Sequence, residues 1–175
     1  QIIAAGSADG MLNEIVSTLF YNKDEVQVQI VRTARAATRT APLFRILAAK
    51  DSGIANVEDL KGVEIGISDG TVIAYLTDRL LEAEGFTTDE IATISVPKIP
   101  DRLALLGSGD MQAAMLPDPA SSMALLGGAT VVVDDTSHPE YGLSVFSFRK
   151  DIIDANPEAI KAFLAAVEQA VEKIN

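Results

Sequence analysis

The 175 residues are 48% hydrophobic and 22% charged, a globular composition large enough for one sizeable core or two small ones, which argues against a disordered chain. Fourteen Lys and Arg against twenty-five Asp and Glu leave a net charge of -11, which repels nucleic-acid phosphates and the anionic face of a membrane, so no nucleic-acid partner is expected. There is no Cys, which removes disulfides, thiol nucleophiles and thiolate metal sites, and His138 is the only imidazole.

The chain opens at Gln1 on what reads as the end of a helix, and so as the middle of something longer. The short "IIAA" at 2–5 lacks the charged lead-in and the length of a secretion signal, and no apolar run approaches the roughly 20 residues that span a bilayer. "AGSADGML" at 5–12 leads from a glycine helix stop through Asp9 into an apolar strand, and "NEIVSTLF" at 13–20 reads as a helix started at Asn13. "VQVQIV" at 26–31 and "LFRILAA" at 43–49 read as strands, with "RTARAATRTAP" connecting them. Arg32, Arg35, Arg39, Arg45 and Lys50 share one stretch with no acid until Asp51. Either this is a solvated connection, or Arg32 or Arg35 stands beside a negatively charged ligand.

Residues 63–67 alternate as a strand, and from Thr71 the period changes to a helical stripe of Val72, Leu76, Leu80 and Ala83, closed by Gly85. The same order recurs in "ATISV" at 92–96 before a helix entered at Pro100. It recurs again in "MQAAML" at 111–116 before a helix entered at Pro119 and closed by Gly127 and Gly128. "TVVVDD" at 130–135 is again a strand, and the alternation predicts an α/β fold, a mostly parallel sheet with helices on its faces. "GLSVFSF" at 142–148 has no helical crossover before it, so it returns antiparallel across the edge or leads back to another lobe. "NPEAIKAFLAAVEQAVEKI" is the clearest helix, with Asn156 as cap, Pro157 in first position and a stripe of Ile160, Phe163, Leu164, Val167, Val171 and Ile174. The echo between "AGSADGML" and "LGSGDMQAAML" at 106–116 suggests related halves.

The turn Ser68, Asp69, Gly70, Thr71 joins a strand to a helix. Helix-start amides are unpaired and carry about half a positive charge, Gly70 permits close approach, and the hydroxyls of Ser68 and Thr71 add hydrogen bonds, so the turn suits an anion or polar head group. Alternatively, Asp69 or Ser68 simply caps the helix. It is not a phosphate loop, because the Lys and the spacing of that motif are missing. In open α/β sheets ligands sit beyond the carboxyl ends of strands, where the turns at Ser68–Thr71, Pro97–Arg102, Pro117–Asp118 and Asn13 all fall, with Tyr75 one helical turn further. Arg102 either faces the ligand or pairs with Asp101 or Asp110. Catalysis has little to work with: His138 lies in the turn-rich "DDTSHPEYG", where Asp134 and Asp135 read as a solvated turn more readily than as metal ligands. No catalytic residue, metal site or cofactor is expected.

The run "ILAAKDSGIANVEDLKGVEIGISDGTVIAYLTDRLLEAEGF", followed by "SVPKIPDRLALLGSGDMQAAMLPDPASSMALLGGATVV", resembles the solute-binding proteins of ABC importers. The nearest group is the nitrate, sulfonate and taurine type, to which thiamine-pyrimidine-precursor binding proteins are related. The resemblance implies a type II periplasmic-binding fold: two α/β lobes with mainly parallel sheets, closing on a small-molecule solute that is handed to ABC permease subunits. Carried across by residue, it puts Ser68, Asp69, Gly70, Thr71, Pro117 and Asp118 on the ligand side of the second lobe, with Asn13 as a weaker first-lobe match. It further implies a partial first lobe with a crossing strand in residues 1–50, a second lobe in 51–148, and a C-terminal helix in 149–175 that packs back toward the first lobe. Family members begin with elements that would precede Gln1, so the chain reads as part of a longer protein with an incomplete first lobe. A periplasmic or membrane-anchored extracellular location follows from the resemblance alone. Two other functions share the fold: an enzyme of the thiamine-pyrimidine-synthesis type, and a ligand-sensing domain.

Overall fold

The computed structural model describes residue 3 and residues 5–174, so the helix end read at the start of the chain lies partly outside the described residues. The chain divides into two compact units, Gln1–Arg35 with Ser144–Asn175, and Ala36–Leu143.

The first unit holds a three-stranded sheet in the order β1 (Gly10–Glu14), β8 (Leu143–Arg149), β2 (Val28–Ala36). The segment at 142–148 is therefore the central strand of a sheet and not an edge, with β1 antiparallel beside it from Gly10 opposite Phe148 to Glu14 opposite Ser144. That pairing corrects the helix start at Asn13: Asn13 and Glu14 lie in the strand, and the helix α1 (Ile15–Tyr21) begins after Glu14, whose carboxylate accepts the Ser17 amide at 2.9 Å. Strand β2 starts at Val28, where the Asn22 side chain accepts the amides of Gln27 and Val28, and it runs on to Ala36 through residues read as a connection.

After β8 comes α5 (Lys150–Ala155), which has no counterpart in the sequence reading, and then α6 (Pro157–Ile174). Asn156 does not cap α6 with its side chain, which instead donates to the Ile152 carbonyl of the preceding helix. Phe163 of α6 stands edge-on to both Phe146 and Phe148, with ring centroids 5.3 Å apart in each pair. Of the apolar stripe on α6 only Ile160 is buried, and Ile174 is 84% exposed.

The second unit is a five-stranded sheet in the order β5 (Ala92–Ser95), β4 (Glu64–Ile67), β6 (Ala113–Pro117), β3 (Phe44–Ala48), β7 (Thr130–Asp134). Strands β5, β4 and β6 are parallel, joined by helices α2 (Val72–Ala83) and α3 (Ile99–Ser108), and α4 (Ala120–Leu126) follows β6. Strand β3 runs antiparallel to both neighbours. Four of the five strands thus share one direction, and the crossing segment at 43–49 belongs to the sheet of this unit, which differs from a division at residue 50. Ile46, Leu47 and Ala48 of β3 are fully buried, as are Ala113 through Leu116 of β6, which explains their unbroken apolar runs. Leu47, Leu116, Ala114, Leu106, Ala120 and Ala124 pack together as one side of this core.

Asp135, expected in a solvated turn, is fully buried; one carboxylate oxygen accepts the Leu43 amide at 2.9 Å and the other has no partner among the described residues. Burial raises its pKa, amides of Leu43 and Phe44 offset part of the rise, and Asp134 adds to it. The folded state therefore holds a proton that the unfolded state has already released just above the ordinary carboxylate range, so this group's contribution to stability falls as pH rises through that window. Asp135→Asn is expected to flatten the decline of urea-unfolding stability as pH rises above the ordinary carboxylate range, about pH 4. An unchanged slope would show that Asp135 is ionised in the folded protein throughout.

Candidate functional site

Strands β5, β4 and β6 are adjacent and parallel, so the turns that leave their carboxyl ends lie along one edge of the sheet. These are the turn at Ser68–Thr71, the short link Pro97–Lys98 with the first turn of α3 that carries Arg102, and Pro117–Asp118. The amino end of β3 joins the same edge, since Phe44 is opposite Pro117 and the Asp118 amide donates to the Leu43 carbonyl at 2.8 Å. Asn13 and Arg32 belong to the first unit.

Thr71 is the cap of α2, correcting Ser68 and Asp69: its backbone is extended, and Oγ1 accepts the Ile73 amide at 3.1 Å while donating to the Ser68 carbonyl at 2.8 Å. Ser68 is equally committed. Its hydroxyl donates to the Pro97 carbonyl at 2.9 Å and accepts from the Arg102 Nη1 at 2.5 Å. Neither hydroxyl has a proton left for a ligand, so what the turn offers outward is its backbone. The amides of Asp69, Gly70 and Thr71 donate to no backbone carbonyl among the described residues, and Gly70, at φ 66°, has open space where a side chain would be. Such amides at the start of a 12-residue helix favour negative or acceptor-rich groups. Asp69 is exposed, and so is Tyr75, whose ring carries the Arg79 guanidinium at 6.0 Å.

Arg102 departs furthest from the sequence reading. It is fully buried and bonds neither Asp101 nor Asp110; Nη1 donates to the Ser68 hydroxyl and to the Val96 carbonyl at 3.0 Å. Nε and Nη2 have no partner among the described residues. Burial alone lowers its pKa, with no neighbouring carboxylate to offset the effect. An unpaired buried donor costs about 1–3 kcal/mol, so two of them on one charged group need an explanation. The side chain runs beside Gly66 of β4, where a Cβ would lie 3.5 Å from its Cδ, and ends at Ser68.

A second arginine on this edge shows the contrast. Arg45 of β3 meets Asp118 at 3.2 Å and also bonds Ser121, while Ser122 donates to the Asp118 carboxylate at 2.5 Å. Asp118 is thus held by an arginine and two α4 hydroxyls, a cluster that sequence distance concealed because Arg45 and Asp118 meet only across the β3–β6 pair. Pro117 closes β6 and is half-buried.

In the first unit, the Asn13 Nδ2 donates to Thr18 Oγ1 at 2.7 Å, and its buried Oδ1 has no partner among the described residues. Arg32 pairs with Glu168 of α6 on an exposed surface. His138 stacks on Tyr141 at 4.6 Å and faces Glu140 at 3.4 Å. Among the described residues no group of three His, Cys, Asp or Glu is arranged to hold a metal ion, and no helix is long and apolar enough to cross a membrane. A cavity of about 460 Å³ in the second unit lies at the opposite end of the strands, between the start of β4 and the Gly109–Gln112 segment.

The NMT1/THI5 like family matches residues 1–175. No curated protein matches the sequence. Among solved structures, the periplasmic aliphatic sulphonate binding protein SsuA from Escherichia coli is similar at 24% identity and a TM-score of 0.78, over 97% of this chain and 57% of that one. The alkanesulfonate-binding protein SsuA from Xanthomonas axonopodis pv. citri, bound to MOPS, is similar at 21% identity and a TM-score of 0.79, again over 97% and 57%. The desulfurization enzyme DSZB is similar at 15% identity and a TM-score of 0.69, over 90% of this chain and 60% of that one. These likenesses show a shared periplasmic-binding-protein-like fold, and the chain spans less than two thirds of each of these structures.

Proposed function

Because the chain belongs to the NMT1/THI5-like family, we propose that it is part of the solute-binding component of an ABC importer. It captures a small polar or anionic molecule and delivers it to permease subunits at the membrane, from a periplasmic or membrane-anchored extracellular position. One observation carries the reading: the turns after three adjacent parallel strands share one edge, and the central turn presents amides without acceptors at a helix start. The sulfonate-binding neighbours favour an oxyanion as the solute, with the Ser68–Thr71 amides as its donors.

Thermal unfolding of the full-length protein against sulfonates, nitrate, bicarbonate, amino acids and pyrimidines tests this. A bound solute at about 100 times its Kd adds roughly 2.7 kcal/mol of stability and raises the midpoint visibly. A folded protein that responds to no member of the panel would sink the reading.

A second reading, an enzyme on the same fold, is favoured by the likeness to DSZB. His138 is then the group to probe, since it is the only imidazole in the sequence. Its ring stacks on Tyr141 and faces the Glu140 carboxylate. Turnover of a panel member, lost on His138→Ala, would move the assignment to this class.

A further inference from the structure

We propose that Arg102 is a specificity-determining residue that sets the charge preference of the Ser68–Thr71 turn, acting through Ser68 so that the turn selects an anionic head group over a neutral one of the same shape. The proposal rests on the solute-binding reading above and names the part of the fold that decides which solutes qualify.

Three observations converge on it. The guanidinium is fully buried and has only neutral partners, the Ser68 hydroxyl and the Val96 carbonyl. Nε and Nη2 lack any acceptor among the described residues, so the charge is desolvated without being neutralised. The group is also aimed at the turn: the side chain passes Gly66, where any side chain would meet it and Met111, and reaches the first residue of the loop that starts α2.

A structural arginine has a different look in this same unit. Arg45, on the same sheet edge, is neutralised by Asp118 and bonded by the hydroxyl of Ser121, and so leaves no surplus charge. Arg102 leaves a positive charge hydrogen-bonded to the first residue of the turn whose helix-start amides are unpaired, and a field of that sign in a poorly solvated place reaches a group held by those amides. Asp69, the turn's own carboxylate, is exposed to water, which screens it far more than the buried guanidinium is screened. Arg102 does not touch the ligand: the Ser68 hydroxyl stands between, fixed by Arg102 on one side and the Pro97 carbonyl on the other. It is a positioning residue as well as a source of charge.

Methanesulfonate and dimethyl sulfone share a heavy-atom count and a tetrahedral sulfur and differ in one anionic oxygen replaced by a methyl group, so they serve as the probe pair. Calorimetric titration of each into the full-length protein at constant ionic strength is expected to show at least a tenfold preference for methanesulfonate. R102Q is expected to reduce the preference to within about threefold, mainly by weakening methanesulfonate, and R102K to restore most of it. If R102Q does not fold, S68A provides the second test, since it removes the link and keeps the charge: the preference is expected to fall about threefold. A folded R102Q, or failing that S68A, with the wild-type preference intact overturns the role of Arg102. Equal binding of both probes by the wild type overturns the charge preference and leaves solute binding standing. Binding of neither, together with silence across the wider panel, removes the solute-binding reading and this proposal with it.

Discussion

Leu47→Ala is expected to cost about 2–5 kcal/mol, read as a lower denaturant midpoint at unchanged slope. Leu47 lies in β3 between β6 and β7, opposite Ala114 on one side and Val131 on the other, with no exposed surface. Its side chain belongs to the cluster that packs α3 and α4 against the sheet through Leu106, Ala120 and Ala124. Those neighbours are mostly small and anchored in regular elements, so they cannot collapse into the space a deletion leaves, which places the cost toward the upper part of the range. The same substitution at Leu126, 90% exposed at the end of α4, is expected to change stability by less than about 0.5 kcal/mol. Equal effects at the two positions would show that the cluster is not the core of this unit.

Gly66→Val is expected to cost about 1–3 kcal/mol and to disturb the candidate site at the same time. A Cβ at Gly66 would lie 2.3 Å from the Met111 Sδ and 2.8 Å from its Cε, both closer than real contacts allow, and 3.5 Å from the Arg102 Cδ. Met111 is flexible and takes up part of the intrusion, but its surroundings are buried, and a branched side chain in mid-strand then presses on Arg102 as well. The consequence is a misplaced guanidinium and a loosened Ser68. In a Met111→Ala background the cost of Gly66→Val is expected to shrink by about 0.5–3 kcal/mol, because the two residues share one space. Identical costs in both backgrounds would place the strain elsewhere.

Much of the second unit is legible in the order of its residues. The change from period two to period 3.6 at Thr71, and its repetition after residues 92–96 and 111–116, reflects strands and helices that each bury one predictable face. The sheet edge carrying the candidate turns followed from that alternation. Less legible was the first unit, where β1 pairs with β8 far along the chain, Glu14 opposite Ser144 and Gly10 opposite Phe148. Asn13 and Glu14 are drawn into that strand by partners that no local window contains, and α1 starts later as a result. The direction of β3 was invisible for the same reason: a fully buried strand has the same apolar run whichever way it points.

The candidate site divides in the same way. Residue types and turn positions named Ser68–Thr71 and Arg102 as residues of interest, because caps, glycines and strand ends are local signals that a chain carries in its order. What each group does there was decided by neighbours far away in sequence. Only folding shows that the hydroxyls of Ser68 and Thr71 are used internally, that Arg45 rather than Arg102 holds a carboxylate, and that Asp135 is buried. Hydrogen-bond satisfaction and desolvation depend on three-dimensional surroundings, whereas periodicity and capping depend on order along the chain. The sequence alone therefore determined the family resemblance, the α/β alternation and the strand-end turns offered as the candidate site; the tertiary structure alone decided that the Ser68–Thr71 hydroxyls are used internally and that Arg102 is buried without a carboxylate partner.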